Sequence, residues 1–270
     1  MAGDEKYAFE IGEEGLDYAS LDMSFNPTTQ AFILNAGIQP GMKVLDIGCG
    51  AGVMTAWLAK QVGPKGHVTA LDNSAEQLAV TEKTIQKEKL KNVQTQVLSA
   101  YDIHSLGQEY DLIYCRFLLH HLHSPRKAIH RYYENLAKGG IYIGEEGVMN
   151  MAFAYPPTFA WRGYEPNIQH PDDENEGENR DGDIGMKLFY ICRQAGFEIM
   201  DCKIVQPVFW RQSQKILLRD EMLAFKKTDL AQGTTEQEWQ KKYDEMARVS
   251  NDDNQIVGFY GSCQVAAKKM

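Results

Sequence analysis

The sequence is short of three things. It has no apolar run long enough to cross a bilayer. It has no excess of positive charge, since Lys and Arg total 28 against 37 Asp and Glu, a formal net charge of −9. Its five cysteines (Cys49, Cys115, Cys192, Cys202, Cys263) are odd in number, widely spaced and never arranged as CxxC. The first absence excludes a helical membrane-spanning protein. The second makes nucleic acid a poor partner, because an acidic surface repels a phosphate backbone. The third leaves a disulfide framework and a zinc knuckle unsupported, and a reducing, cytoplasmic setting is expected. The opening MAGDEKYAFE has neither a basic start nor an apolar stretch, so no secretory leader is expected. No internal repeat is visible.

What is there is an ordinary globular composition, 270 residues with 43 % hydrophobic side chains, ample for one large domain. Residues 1–36 read as a polar arm followed by a helix, with Asn26-Pro27-Thr28-Thr29 as its start signal. Short apolar strands then alternate with helical segments. Strands are expected at Lys43–Ile47, His67–Asp72, Val93–Leu98, Tyr110–Cys115 and Ile141–Gly144. Helices are expected over Val53–Val62, Ser74 to about Lys89, and Pro125 to about Lys138, where Gly139-Gly140 stops the last. This alternation argues for right-handed crossovers and a parallel sheet. A proline-rich segment, 149–183, interrupts it and closes in the acidic run Asp172–Asp183. A helix over Ile184–Gln194, a strand over Phe197–Val208, helices over Gln212–Lys227 and Thr235–Val249, and a strand over Gln255–Ala267 complete the chain.

The informative motif is Val44-Leu45-Asp46-Ile47-Gly48-Cys49-Gly50-Ala51-Gly52, at the first strand-to-helix turn. Its G-x-G-x-G spacing differs from the G-x-G-x-x-G that holds a pyrophosphate. Asp46, two residues before Gly48, is badly placed for a phosphate and well placed for an amine. Asp72 ends the second strand twenty residues after Gly52, where a carboxylate can accept both hydroxyls of a ribose. Together these describe a site for a nucleoside that carries an amino acid.

At this point the chain resembles the class I S-adenosylmethionine-dependent methyltransferases, through VLDIGCGAG, ALDNS and the segment Tyr110–Leu122, the last similar to the small-molecule subgroup that includes the quinone C-methylases. The resemblance spans roughly Gly37–Gly147. It implies an α/β, doubly wound, mostly parallel seven-stranded sheet with an antiparallel last strand, plus lid and helical insertions. It also implies S-adenosylmethionine as cofactor, the Gly48, Gly50 and Gly52 backbone against the methionine part, and Asp46 near its amino end. Asp72 would hold the ribose, Asn73 would flank the adenine, Ala100 and Tyr101 would contact it, and Arg116 would lie against the methionine moiety. The domain plan that follows is an arm and helix (1–36), a cofactor-binding core (37–148), a lid (149–183) and the rest of the core (184–270), with inserted helices over 212–250.

Cys115-Arg116-Phe117 replaces the Asn/Asp-Pro-Pro-aromatic motif expected of enzymes that modify adenine in nucleic acid, and the paired acidic residues of protein arginine methyltransferases are missing. A small-molecule acceptor is the expectation, with an oxygen, nitrogen or carbon acceptor left open. His120 is a candidate base, with His121 beside it. Glu145 and Glu146, at the fifth strand's end, are candidates to hold a cationic or hydroxylated substrate, and Glu145 is carried forward with His120 as a catalytic candidate. No metal is expected: His120, His121 and His123 do not share a helix face, and the acidic run fails the EF-hand register. The lid would bring Phe153, Tyr155, Phe159, Trp161 and Tyr164 over the substrate, and Tyr7, Phe9 and Tyr18 of the arm would cover the other side. Two rivals remain: a non-catalytic module that binds the same nucleoside, and a nicotinamide oxidoreductase, which the glycine spacing and Asp46 disfavour. The inserted helices over 212–250 either cap the site or mediate a homodimer.

Overall fold

The computed structural model describes residues 19–161, 181–231 and 233–270. Tyr7, Phe9, Tyr18, Tyr164 and the acidic run up to Arg180 therefore lie outside the described residues. Along the chain the order is α1 (Ala19–Ala36), β1 (Lys43–Ile47), α2 (Val53–Val62), β2 (His67–Asp72), α3 (Ala75–Lys87), β3 (Val93–Val97), β4 (Tyr110–Arg116), α4 (Pro125–Asn135), β5 (Leu136–Val148), β6 (Phe153–Tyr155), α5 (Gly185–Gln194), β7 (Glu198–Val205), β8 (Val208–Phe209), α6 (Gln212–Ala231), α7 (Glu236–Ser250), β9 (Ile256–Gly258) and β10 (Gly261–Lys268).

The described residues form two units, one of 28–147, 181–204 and 262–270, the other of 19–27, 148–161, 205–231 and 233–261. The first holds a seven-stranded sheet in the order β3-β2-β1-β4-β5-β10-β7. The β1–β2, β1–β4, β2–β3 and β4–β5 pairs are parallel. β10 is the antiparallel strand, and Gly139 and Gly140 exchange backbone bonds with Lys269 at its end. Buried parallel strands must be apolar on both faces, and Val44, Leu45, Ile47, Val68, Ala70, Leu112 and Ile113 are all 0 % exposed. Phe32, Ile33, Leu58 and Val62 pack into one core with Val44, Leu112 and Ile143. The chain leaves β1 toward β2 and β3, then returns to place β4 on the other side. The reversal opens a crevice at the carboxyl ends of β1 and β4, where ligands bind in such sheets.

The second unit holds the antiparallel sheet β6-β9-β8, with α6 and α7. Thr235 and Glu238 form a reciprocal capping box at the start of α7. Buried Lys215 donates its ammonium to the Asp252 and Gln255 carbonyls, so a charge held inside is satisfied by backbone.

Several element boundaries differ from the expectation. α1, described over Ala19–Ala36, runs through Pro27, so 19–26 is helix where an arm with little structure of its own was expected. α4 ends at Asn135, because Leu136 is already extended and pairs with Tyr110; Gly139, at φ 80°, is an irregularity inside β5 instead of a helix stop. The expected strand over Phe197–Val208 divides into β7 and β8. The expected strand over Gln255–Ala267 divides into β9 and β10, which belong to different sheets. The corner Phe259-Tyr260 between them is packed, with the two rings 4.1 Å apart. The lid segment contributes β6: Phe153 faces Gly258 across the strands, and a side chain at 258 would collide with its ring at 2.1 Å. Trp161 donates Nε1–H to the Gly258 carbonyl at 2.9 Å and stacks on Phe259. Phe153 and Tyr155 are thus both strand residues of this small sheet, Trp161 is tied to it, and Phe153, Tyr155 and Phe159 are exposed.

Candidate functional site

The loop after β1 is built from backbone that L side chains avoid. Gly48, Gly50 and Gly52 have φ of 71°, 53° and 76°, the left-handed region where glycine carries no penalty. Gly48 and Cys49 both donate to the Leu71 carbonyl, at 2.8 and 3.0 Å, which ties the turn to β2. Thr81 and Thr84 lie three residues apart on one face of α3 and donate to the Gly50 and Ala51 carbonyls at 2.6 and 2.8 Å. The three glycines differ in surroundings. A Cβ on Gly52 would lie 2.8 Å from Thr81 Cγ2 and 3.0 Å from its Cα. One on Gly48 would meet Leu118 at 3.1 Å, and one on Gly50 would meet nothing within 4 Å. Gly52 and Gly48 serve packing, and Gly50 faces open space. Gly52, the N-cap of α2, has no side chain to cap the helix, which leaves backbone N–H groups at its first turn to meet a ligand.

Two carboxylates flank this loop. Asp46 is 2 % exposed and accepts from Thr55 Oγ1 at 2.5 Å. Burial pushes its carboxyl up to about 6, against the Thr55 hydrogen bond and the charge of Arg116. Asp72 is 3 % exposed; one oxygen accepts from Gly50 N–H at 3.2 Å and the other from Ser74 N–H at 3.0 Å. Burial raises it too, and these backbone donors oppose the rise. Asp72 therefore holds the glycine loop in place and keeps lone pairs for further donors. Asn73 beside it is exposed.

The exit of β4 forms the other wall. Arg116 is half-buried; it donates to Thr29 Oγ1 at 3.4 Å and lies 5.8 Å from the Phe117 ring centroid. Phe117 has φ 51°, rare for a bulky residue, and its N–H donates to the Glu145 carbonyl at 2.9 Å. This kink turns Leu118 toward Gly48 and starts the short 3-10 turn Leu119–His121. Tyr101 is anchored to the start of α4, since its hydroxyl accepts from Ser124 N–H at 2.9 Å; Ala100 is 7 % exposed.

Glu145 and Glu146 do not end a strand, because β5 continues to Val148, and both are buried. Their side chains alternate to opposite faces. Glu145 is surrounded by donors, Thr29 Oγ1 at 2.5 Å, Ser262 Oγ at 2.7 Å and Gln264 Nε2 at 3.1 Å. A carboxylate so filled is a fixture of the strand network, where the expectation was a strand-end group free to hold a cationic or hydroxylated substrate. Glu146 is the one that reaches the histidine. Its Oε1 accepts from Leu118 and Leu119 N–H at 2.9 and 2.7 Å, and its Oε2 lies 3.2 Å from His120 Nδ1. The rings of His120 and His121 are 3.7 Å apart. Sequence reasoning missed Thr29, Thr55, Ser262 and Gln264, which come from distant elements. Thr81 and Thr84 of α3 were missed as well, although their i, i+3 spacing puts them on one face of the helix.

A family profile described as a methyltransferase domain matches residues 44–140. An uncharacterised protein of Synechococcus is 34 % identical over 173 residues, covering 60 % of this chain and 38 % of its own length. (S)-coclaurine N-methyltransferase of Thalictrum flavum is 30 % identical over 139 residues, covering 52 % of this chain and 38 % of its own. The chain thus spans about two fifths of the length of these curated relatives. Among solved structures, coclaurine N-methyltransferase bound to N-methylheliamine and S-adenosylhomocysteine superposes with a TM-score of 0.57 at 20 % identity, over 97 % of this chain and 76 % of that one.

Proposed function

We propose that the protein transfers the methyl group of S-adenosylmethionine to a small-molecule acceptor, a reading supported by the match of residues 44–140 to a methyltransferase-domain profile and by the likeness to (S)-coclaurine N-methyltransferase. The observation that carries the reading is the pairing of Asp72 with the loop: the carboxylate that would take the ribose hydroxyls already grips Gly50 N–H, and Gly50 opens onto free space. Asp46 would receive the ammonium, the first turn of α2 the carboxylate of the methionine part, and Arg116 would border it. Asn73, Ala100 and Tyr101 would hold the adenine.

The bound cofactor supplies an electrophilic methyl on a sulfonium. What the chain must do is hold the acceptor in line and at near-attack distance, which accounts for much of the rate in such reactions. Where the acceptor is a hydroxyl it must also take a proton, and His120 is the group we assign. With Nδ1–H donated to Glu146, its Nε2 carries the free lone pair. Glu146, held by two backbone N–H groups, is then a positioning residue. Tyr155, Phe159 and Trp210 stand at the surface of the second unit, at 69 %, 40 % and 56 % exposure. We place the protein in a reducing cytoplasm, supported by five free thiols; among the described residues no helix is long and apolar enough to cross a membrane. A homodimer is tested by light scattering, where a mass near twice 30.6 kDa supports it and a monomer mass removes it.

The deciding experiment is titration calorimetry with S-adenosylmethionine, S-adenosylhomocysteine and NADH. Micromolar affinity for the first two and none for the third is the expected result. Silence from both sulfur nucleosides overturns the cofactor assignment. Tight binding with no methyl transfer across a screen of amines and hydroxylated aromatics favours a non-catalytic nucleoside-binding module.

A further inference from the structure

Cys202 and Cys263 stand on β7 and β10, adjacent strands of the seven-stranded sheet, with their Sγ atoms 3.8 Å apart. Both are free thiols. Closing that separation to an S–S bond requires roughly 1.8 Å of relative sulfur motion, within reach of side-chain rotation and small strand adjustment. The two differ in access: Cys202 is exposed and Cys263 is 4 % exposed. β7 is the edge strand, so an oxidant in solution reaches Cys202 from the open side. Side chains alternate along β10. Ser262 and Gln264 turn to Glu145 on one face, and Cys263 turns to the other. There buried Cys192 of α5 lies within electrostatic range of both thiols.

We propose that Cys202 and Cys263 form a reversible dithiol–disulfide site, oxidised by a peroxide, that cross-links the edge strand to its neighbour. The Cys202 thiolate attacks one peroxide oxygen, the O–O bond breaks, and hydroxide leaves from a Cys202 sulfenic acid. Cys263 sulfur then attacks Cys202 sulfur; the S–S bond forms, the S–O bond breaks, and the departing hydroxide takes the Cys263 proton as water. Two thiols and one hydrogen peroxide give one disulfide and two waters. Burial pushes Cys263 up to about 12, which suits it to the second, contact-driven step instead of the first encounter. A dithiol in a reducing compartment, closed by oxidant and reopened by thiol exchange, records the redox state of its surroundings. The site is independent of the methyl-transfer reading.

Trypsin separates the three neighbouring cysteines: Cys192 falls in 188–193, Cys202 in 194–203 and Cys263 in 249–268. Folded protein treated with a few equivalents of hydrogen peroxide, alkylated and digested without reductant should yield 194–203 linked to 249–268. Free thiols should fall from five to three and return with dithiothreitol. Cys263→Ser should stop at a Cys202 sulfenic acid captured by dimedone, and Cys202→Ser should give neither product. A wild-type digest without this link, a link to 188–193 in its place, or equal yield from guanidinium-unfolded chain would overturn the proposal.

Discussion

Asp46 is the residue whose titration carries most information. Its carboxyl titrates near 6 in the folded chain against an ordinary 3.8, because it is buried. The folded state thus binds the proton more tightly than the unfolded one. The stability tied to that proton is complete below pH 4 and is lost as pH rises through about 6. Asp46→Asn should therefore stabilise the ligand-free protein by about 1–3 kcal/mol at pH 7.5, and the difference should close at pH 4; urea titrations at the two pH values check both. The same change should weaken S-adenosylmethionine at least tenfold, and wild-type affinity should fall as pH drops through 6, since an ammonium seeks the ionised carboxylate. Asp72→Asn should lower S-adenosylhomocysteine affinity by about 10–100-fold in calorimetry, as two charge-assisted acceptor positions are lost. Unchanged affinity would remove the ribose role.

The glycine loop sorts its own residues by consequence. Gly52→Ala forces a φ of 76° on an L side chain and drives its Cβ against Thr81, backbone included. We expect a loss of about 2–4 kcal/mol in thermal or urea unfolding. Gly50→Ala meets no neighbour, so the expected stability loss is only about 1 kcal/mol from the left-handed backbone, while the loss in cofactor affinity exceeds it. If both variants were equally destabilised, Gly50 would not border a ligand space. In the second unit Thr235→Ala should cost about 1 kcal/mol, since it opens the capping box of α7, and should leave S-adenosylhomocysteine affinity unchanged.

For the molecule as a whole, binding must appear as stability. S-adenosylhomocysteine at a hundred times its dissociation constant should raise the unfolding free energy by about 2.7 kcal/mol, and NADH at equal concentration should raise it by none. Differential scanning fluorimetry reads both. A shift with NADH alone would return the glycine loop to the dinucleotide class.

The sequence by itself determined the parallel core and the glycine turn at its carboxyl end. Lys43–Ile47, His67–Asp72 and Tyr110–Cys115 are short, mostly apolar runs, and short runs between helices have one economical arrangement. The loop Gly48–Gly52 was legible because left-handed backbone demands glycine. Only the tertiary structure decided which carboxylate meets His120. Glu145 and Glu146 are adjacent and chemically alike, and the strand's two-residue period sends one to Thr29, Ser262 and Gln264 and the other to His120. It also decided that Gln255–Ala267 serves two sheets, and that thiols 61 residues apart in the chain become neighbours. Local pattern records which face a side chain takes. What waits on that face is set by strand order, which is fixed only when the whole sheet is assembled.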